Sequence, residues 1–267
     1  MISVNSLNSS SLSLKDGKRY FYLFKLLVLK DLRVRYRGSF LGYLWSMMNP
    51  LLYMLVLTFV FSKIMRFEVE NLAIFILAGI LTWNFFSQAL SLGTASILNN
   101  GALLKKIKVP AIILTAASTG SVLVNFLLAL LPFLIVAIYS DISISWTVLL
   151  LPFYLIPLAV FTLGLGLGLA SLNVRFRDIG HVMEPLLQVL FYGTPIIYPL
   201  SALPDKIRPL LWLNPLTSFV SAMRNILIDG VVPSPLIHAI MISSAFISIA
   251  IGIFIYIKTN KSFVYYV

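Results

Sequence analysis

The stretch KDLRVRYRGSFLGYLWSMMNPLLYMLVLTFVF, Lys30 to Phe61, decides the fold. Its first part sets Lys30, Arg33, Arg35 and Arg37 against the single acid Asp31, and no charge occurs from Phe40 to Phe61. As a helix rising ~1.5 Å per residue, the uncharged run reaches about 33 Å, enough for a bilayer core of about 30 Å. The cationic flank marks the cytoplasmic side, because Lys and Arg beside a span stay where insertion begins.

Composition extends this reading to the whole chain. Hydrophobic residues make up 60% of the 267 and charged residues 11%, far below the roughly 25% charge of a soluble domain. A water-soluble fold would lack polar surface, so a polytopic membrane protein is expected. The net charge of +11 sits between apolar runs, where orientation in the membrane accounts for it. No nucleic-acid partner is expected, since no reader motif accompanies the charge. The absence of cysteine excludes disulfides, thiolate chemistry and Cys-ligated metal. The Ser-rich start lacks an apolar segment, so no cleavable signal is expected.

Apolar runs place spans at about 40–62, 72–97, 110–139, 146–172, 179–199 and 235–257. Six crossings from a cytoplasmic start return the C-terminus to the cytoplasm. Lys105, Lys106, Lys108, Arg175, Arg177, Lys258 and Lys261 then fall inside with the N-terminal cations, while Lys63, Arg66, Lys206, Arg208 and Arg224 fall outside. The bias obeys the positive-inside rule. The stretch from about 200 to 230 carries Pro204, Pro209, Pro215, Asp205, Lys206, Arg208 and Arg224, a load no lipid-facing helix accepts. It is expected as two short helices re-entering from the outer side, with an outer surface loop as the alternative.

Before the first span, Phe21, Phe24, Val28 and Leu32 share one helical face, and Arg19, Lys30, Arg33 and Arg37 gather opposite. Such a helix lies flat at the interface, its apolar face among acyl chains and its cations on headgroups or an acidic partner. A simple topogenic cluster would explain the cations but not the segregated rings. Residues 1–39 are thus read as a cytoplasmic N-terminus with an amphipathic helix, and 40–267 as the transmembrane domain.

Between spans two and three, Asn99, Asn100 and Gly101 punctuate a turn and Pro110 opens the next helix. The intervening Leu103, Lys105, Lys106 and Lys108 lie in a short cationic helix, about 99–109, held between two long spans. A partner pressing there would move both, although plain topogenic charge remains the alternative. Gly164 and Gly168 form a GxxxG face for close helix approach. Glu184 is the one acid inside an expected span, which makes it a functional candidate, or else a hydrated helix start. Tyr43, Trp45, Tyr192 and Tyr198 are candidate rings lining a path for sugars, which offer C–H faces and hydroxyls together; interfacial belts are the alternative. No nucleotide-binding, metallohydrolase or serine-hydrolase motif occurs, so no catalytic or metal-ligating residue is assigned.

Three segments carry a resemblance: KDLRVRYRGSFLGYLWSMMNPLLYM at Lys30 to Met54, LNVRFRDIGH at Leu172 to His181, and YGTPIIYPLSALP with LNPLTSFVSAMRNILIDG between Tyr192 and Gly230. In these the chain resembles the permease subunits of ABC-2 type exporters of polysaccharide, O-antigen and teichoic acid. The resemblance implies an all-α fold with six spans, an N-terminal interface helix, a coupling helix after span two and an outer re-entrant hairpin before span six. It further implies a homodimer in the bacterial inner membrane, two copies of a separate ATPase subunit that bind ATP and Mg, and a lipid-linked polysaccharide as cargo. Arg33, Arg35 and Arg37 then lie where a lipid pyrophosphate would dock, because Arg forks suit phosphate oxygens. With no phosphate-binding loop of its own, the purified chain is expected to show no ATP hydrolysis until an ATPase partner is added; robust turnover by the chain alone, free of contaminants, would refute this.

Overall fold

The structure, a computed structural model, describes residues 14–65, 71–106, 109–140, 142, 145–260 and 263. All regular elements among them are helical. Helix α1 spans Leu14–Tyr36, α2 Leu44–Phe59, α3 Leu72–Asn99, α4 Gly101–Lys106 and α5 Ile112–Tyr139. They are followed by α6 at Leu151–Asn173, α7 at Asp178–Tyr192, α8 at Arg208–Leu211, α9 at Pro215–Arg224 and α10 at Pro235–Thr259. A π turn extends α2 to Ile64 and a 3₁₀ turn from Trp146 leads into α6. Five of these units are long and apolar enough to cross a membrane: Leu44–Ile64, α3, α5, Trp146–Asn173 and α10.

The expected span at 179–199 differs. Helix α7 has 15 residues, about 22 Å at ~1.5 Å per residue, short of a bilayer core. The sequence stops it after Tyr192, because Gly193 weakens the helix, Thr194 precedes a proline, and Pro195 offers no amide hydrogen. Beyond it the chain runs without a regular helix through Thr194 to Ile197, all buried. The expected two short helices after residue 200 are present as α8 and α9.

Helix α3 is the central pillar. Ile74, Ile76, Leu77 and Ala78 are fully buried, and lower on the same helix Phe85 and Phe86 are nearly so. Phe86 stacks on Phe161 of α6 at 5.9 Å between ring centroids, and Phe161 stacks on Phe219 of α9 at 5.4 Å. These rings tie three helices together. In lipid the hydrophobic effect does little to bring helices together, so close packing decides which faces meet.

Glycines set that packing where sequence placed them. A Cβ on Gly164 would stand 2.6 Å from Ile249 Cα, and Gly168 already faces Gly252, whose Cα would lie 3.5 Å from its Cβ. Thus the GxxxG face of α6 receives α10. Gly166, on another side of α6, lies against Gly93 of α3, and Ser96 and Thr115 join hydroxyls at 2.9 Å beside them. Buried Thr82, Thr94 and Thr162 return their hydroxyl hydrogens to the carbonyl four residues earlier, so these three donors are satisfied within their own helices.

Gly164→Leu is expected to separate α6 from α10 and cost upwards of ~3 kcal/mol, seen as loss of the monodisperse peak in fluorescence-detected chromatography. Gly168→Ala meets only ordinary contacts and should keep that peak. Equal behaviour of the two variants would show that the α6–α10 contact does not hold the fold.

Candidate functional site

Helices α1 and α4 meet at one end of the bundle. Leu27 and Leu32 of α1 are buried, and Phe24 and Val28 press on Gly120 of α5, where a Cβ would fall 2.8 Å from the Phe24 ring. The amphipathic face of α1 is therefore spent largely on protein. Of the four residues expected to sink among acyl chains, Phe21 alone is well exposed, at 69%. The reason is local: Gly120 opens a groove on α5 that a larger residue would fill.

Leu103 and Leu104 of α4 join the same apolar cluster, which also holds Leu27, Ile97 and Leu114. Lys30 Nζ of α1 donates to Asn100 Oδ1 at the α3–α4 junction at 2.7 Å, and Asn100 Nδ2 returns to the Ser96 carbonyl at 2.8 Å. α1 and α4 thus form one platform. Gly101 is buried beneath it, while Asn99, Lys105 and Lys106 face outward. Lys108 lies outside the described residues, so the expected 99–109 element is described only as Gly101–Lys106.

A furrow starts at this platform and follows α2. Its first hollow is lined by Lys30, Arg33, Arg37 and Tyr43, together with Tyr36. Tyr36 also borders a second hollow of about 420 Å³ between α1, α2, α3 and α5, reached by Arg35, Trp45, Asn84, Gln88 and Asn125. Asn84 in turn borders a third, of about 280 Å³, walled by Tyr53, Trp83, Phe191 and Tyr192, with Gln188 beside them. Character changes along this line from cationic, through amide-rich, to aromatic.

The candidate residues distribute accordingly. Arg33 and Arg37 share the first hollow while Arg35 turns into the second, donating through Nη1 to Gln88 Oε1 at 2.9 Å. Tyr43 stands at the cationic mouth, its ring 4.4 Å from that of Tyr36. Trp45 and Tyr192 belong to the second and third hollows. Tyr198 is placed differently: it lines none of these hollows and its hydroxyl donates to the Tyr192 carbonyl at 2.9 Å. Glu184 is exposed on α7 and borders a separate hollow with Ser91, Thr94 and Asn173. It has no salt bridge among the described residues.

Sequence reading passed over the amides. Asn84 and Gln88 stand four apart on α3 and so share a face, and Asn49 of α2 and Asn125 of α5 line the same space, making four amides. Their signal was present as uncharged polar residues inside apolar spans, which are expensive there and tend to be functional. Arg224 was also passed over as a site. It is buried, with 8% exposure, and donates to the carbonyls of Pro195 at 2.8 Å and Ile196 at 2.6 Å.

Residues 22–228 match the family model described as ABC-2 type transporter. The chain is 35% identical over 240 residues to the O-antigen export system permease protein RfbA of Myxococcus xanthus, covering 88% of this chain and 92% of the relative. It is 30% identical over 258 residues to a Klebsiella pneumoniae protein of the same name, with 94% and 98% covered. The polysialic acid transport protein KpsM of Escherichia coli is 24% identical over 242 residues, with 86% and 90% covered. Span-length apolar helices, an α1–α4 platform and a match running through both therefore lead to one statement: this chain belongs to the ABC-2 type transporter family.

Proposed function

We propose that this chain is the membrane subunit of an ATP-driven exporter that carries a lipid-linked polysaccharide, an O-antigen or similar glycan, outward across the bacterial inner membrane. Both termini are cytoplasmic. Two copies of a separate ATPase subunit bind ATP and Mg and press on the α1–α4 platform. Two copies of this chain form a homodimer around the path. The observation that carries the reading is the furrow, which begins in cations beside the platform and ends in rings at Tyr192. Cations suit the phosphates of a lipid carrier, and aromatic faces suit sugar rings.

The names of the relatives support the cargo class. The homodimer is supported by α2, which leaves Leu52, Tyr53, Leu55, Val56 and Phe59 exposed on its own chain. Tyr43, Trp45 and Tyr192 lie on the glycan path, Tyr198 holds the backbone behind Tyr192, and Glu184 borders the cytoplasmic rim. The sixth crossing is made by α7 together with the outer hairpin of about 200–230. Arg224 supports that arrangement, because unwound backbone at membrane depth needs its carbonyls satisfied within the protein.

Force enters through α4. Lys105 and Lys106 point away from the bundle while Leu103 anchors the helix beneath them. Replacing both by Glu places like charges against an acidic partner surface at a cost of several kcal/mol. Export per inserted subunit is expected to fall about a hundredfold or more, with insertion unchanged. Normal export by the double variant would return this loop to a purely topogenic role.

Topology supplies a second check, made simple by the absence of native cysteine. Single cysteines at Lys106 and Arg177 should be shielded from an impermeant thiol reagent in cells with an intact inner membrane, while one at Asp205 should react. Reaction at Arg177 would rule out the six-crossing arrangement.

A further inference from the structure

Asn173 is a buried amide where three helices meet, in the LNVRFRDIGH segment to which the export reading gives no role. It is the last residue of α6 and is 3% exposed. Its Nδ2 donates to the Thr94 carbonyl of α3 at 3.1 Å, and its Oδ1 accepts from the Gly180 amide in the first turn of α7 at 3.2 Å. A carbonyl can only accept and a backbone amide can only donate, so this orientation of the side chain is the one that serves both. Close packing delivers it, because Gly166, on the same face of α6, lies against Gly93, the neighbour of Thr94.

Helix α7 has little else to fix its start. Arg177 at its N-cap has no side-chain acceptor to offer the first turn, and Met183 alone among the residues of α7 is buried. Asn173 thus supplies, from the preceding helix, the kind of acceptor a capping side chain would supply. The Gly180 amide divides itself between that oxygen and the Arg177 carbonyl, 3.2 Å from each. At the far end of α7, Phe191 meets Trp83 of α3 edge-on at 5.4 Å between centroids. A ring contact tolerates sliding, whereas directional hydrogen bonds hold register. Beside that ring pair, Trp83, Asn84 and Ser87 of α3 and Leu187, Gln188 and Tyr192 of α7 wall the third hollow, so its width is set by where α7 sits against α3.

We propose that Asn173 is a positioning residue for transport, fastening the start of α7 to α3 so that a displacement of α3 by the ATPase partner reaches α7 and changes the width of the third hollow. The proposal rests on the export reading for the source of that displacement. α3 ends at Asn99, beside the α1–α4 platform, and Thr94 lies in the stretch just before that end. The bond to Thr94 carries the motion, and the bond to Gly180 keeps the first turn of α7 in place to receive it.

The test uses the full permease–ATPase complex in nanodiscs, with Gln188→Cys as the only cysteine of this subunit and maleimide labelling read on its band. ATP with vanadate is expected to change the labelling rate when Asn173 is in place. Asn173→Leu, close in size and unable to make either bond, should cut that change about fivefold or more while the complex still hydrolyses ATP. Asn173→Asp keeps an acceptor for Gly180 but its carboxylate cannot donate to Thr94, so it should lose the response equally. A full response in Asn173→Asp would make Asn173 a cap for α7 alone and overturn the proposal. A full response in Asn173→Leu, no response with Asn173 in place, or loss of the monodisperse peak by both variants would also overturn it; if one variant alone loses the peak, the other decides. In proteoliposomes without the probe cysteine, ATP hydrolysed per glycan exported should rise about tenfold for Asn173→Leu, and an unchanged ratio contradicts the proposal. Glycan export with no ATP response at the Gln188 position contradicts the proposal and leaves the export reading standing; an Asn173-dependent response in a complex that moves no glycan does the reverse.

Discussion

Arg224 makes the broken part of this membrane fold possible. Where α7 stops, the chain from Thr194 to Ile197 turns through the interior without helical hydrogen bonds, and its carbonyls need donors. The guanidinium reaches two of them, lies 3.4 Å over the Phe75 ring, and thereby ties α9, α3 and the turn into one unit. Gly79 leaves the space for this approach, since a Cβ there would stand 2.6 Å from the Ile196 oxygen and 2.9 Å from Arg224 Nη2. A planar fork of five donors suits adjacent carbonyls in a way that a Lys ammonium does not. Its burial would be costly without them.

From that anchor the rest of the architecture follows as rigid packing. α3 carries the anchored turn near its start and the α4 platform at its end, so its 28 residues link the two ends of the bundle. α6 and α10 meet through glycine, with their backbones too close to slide freely. α4 follows α3 directly at Asn100, and its Leu103 and Leu104 share an apolar cluster with Leu114 of α5. α2, packed lightly by comparison, borders the second and third hollows, and Tyr43 at its N-terminal cap borders the first.

Much of the fold was legible in the sequence. Uncharged runs gave α2, α3, α5, α6 and α10, and the spacing of Gly164 and Gly168 gave the α6–α10 contact. The length of α7 was not legible from hydropathy, because the apolar residues Ile196 and Ile197 continue the run after the helix has ended. The Thr194–Pro195 pair was the available signal. The partner of the α1 apolar face also escaped, since amphipathicity shows that a face must be covered but not whether lipid or Gly120 of α5 covers it. At the site, charge drew attention to Arg33, Arg35 and Arg37, while the amides that orient the second hollow sit in different spans and converge only in three dimensions.

The central claim is that nucleotide-driven force, delivered through the α1–α4 platform, moves a lipid-linked glycan across the membrane. The direct measurement is translocation in sealed vesicles containing this subunit and its ATPase partner, with the glycan followed by protection from an externally added glycosidase. The account predicts that ATP and Mg render the glycan protected in inside-out vesicles, and that a hydrolysis-deficient partner abolishes this. Equal protection without ATP, or with this subunit alone, would contradict it.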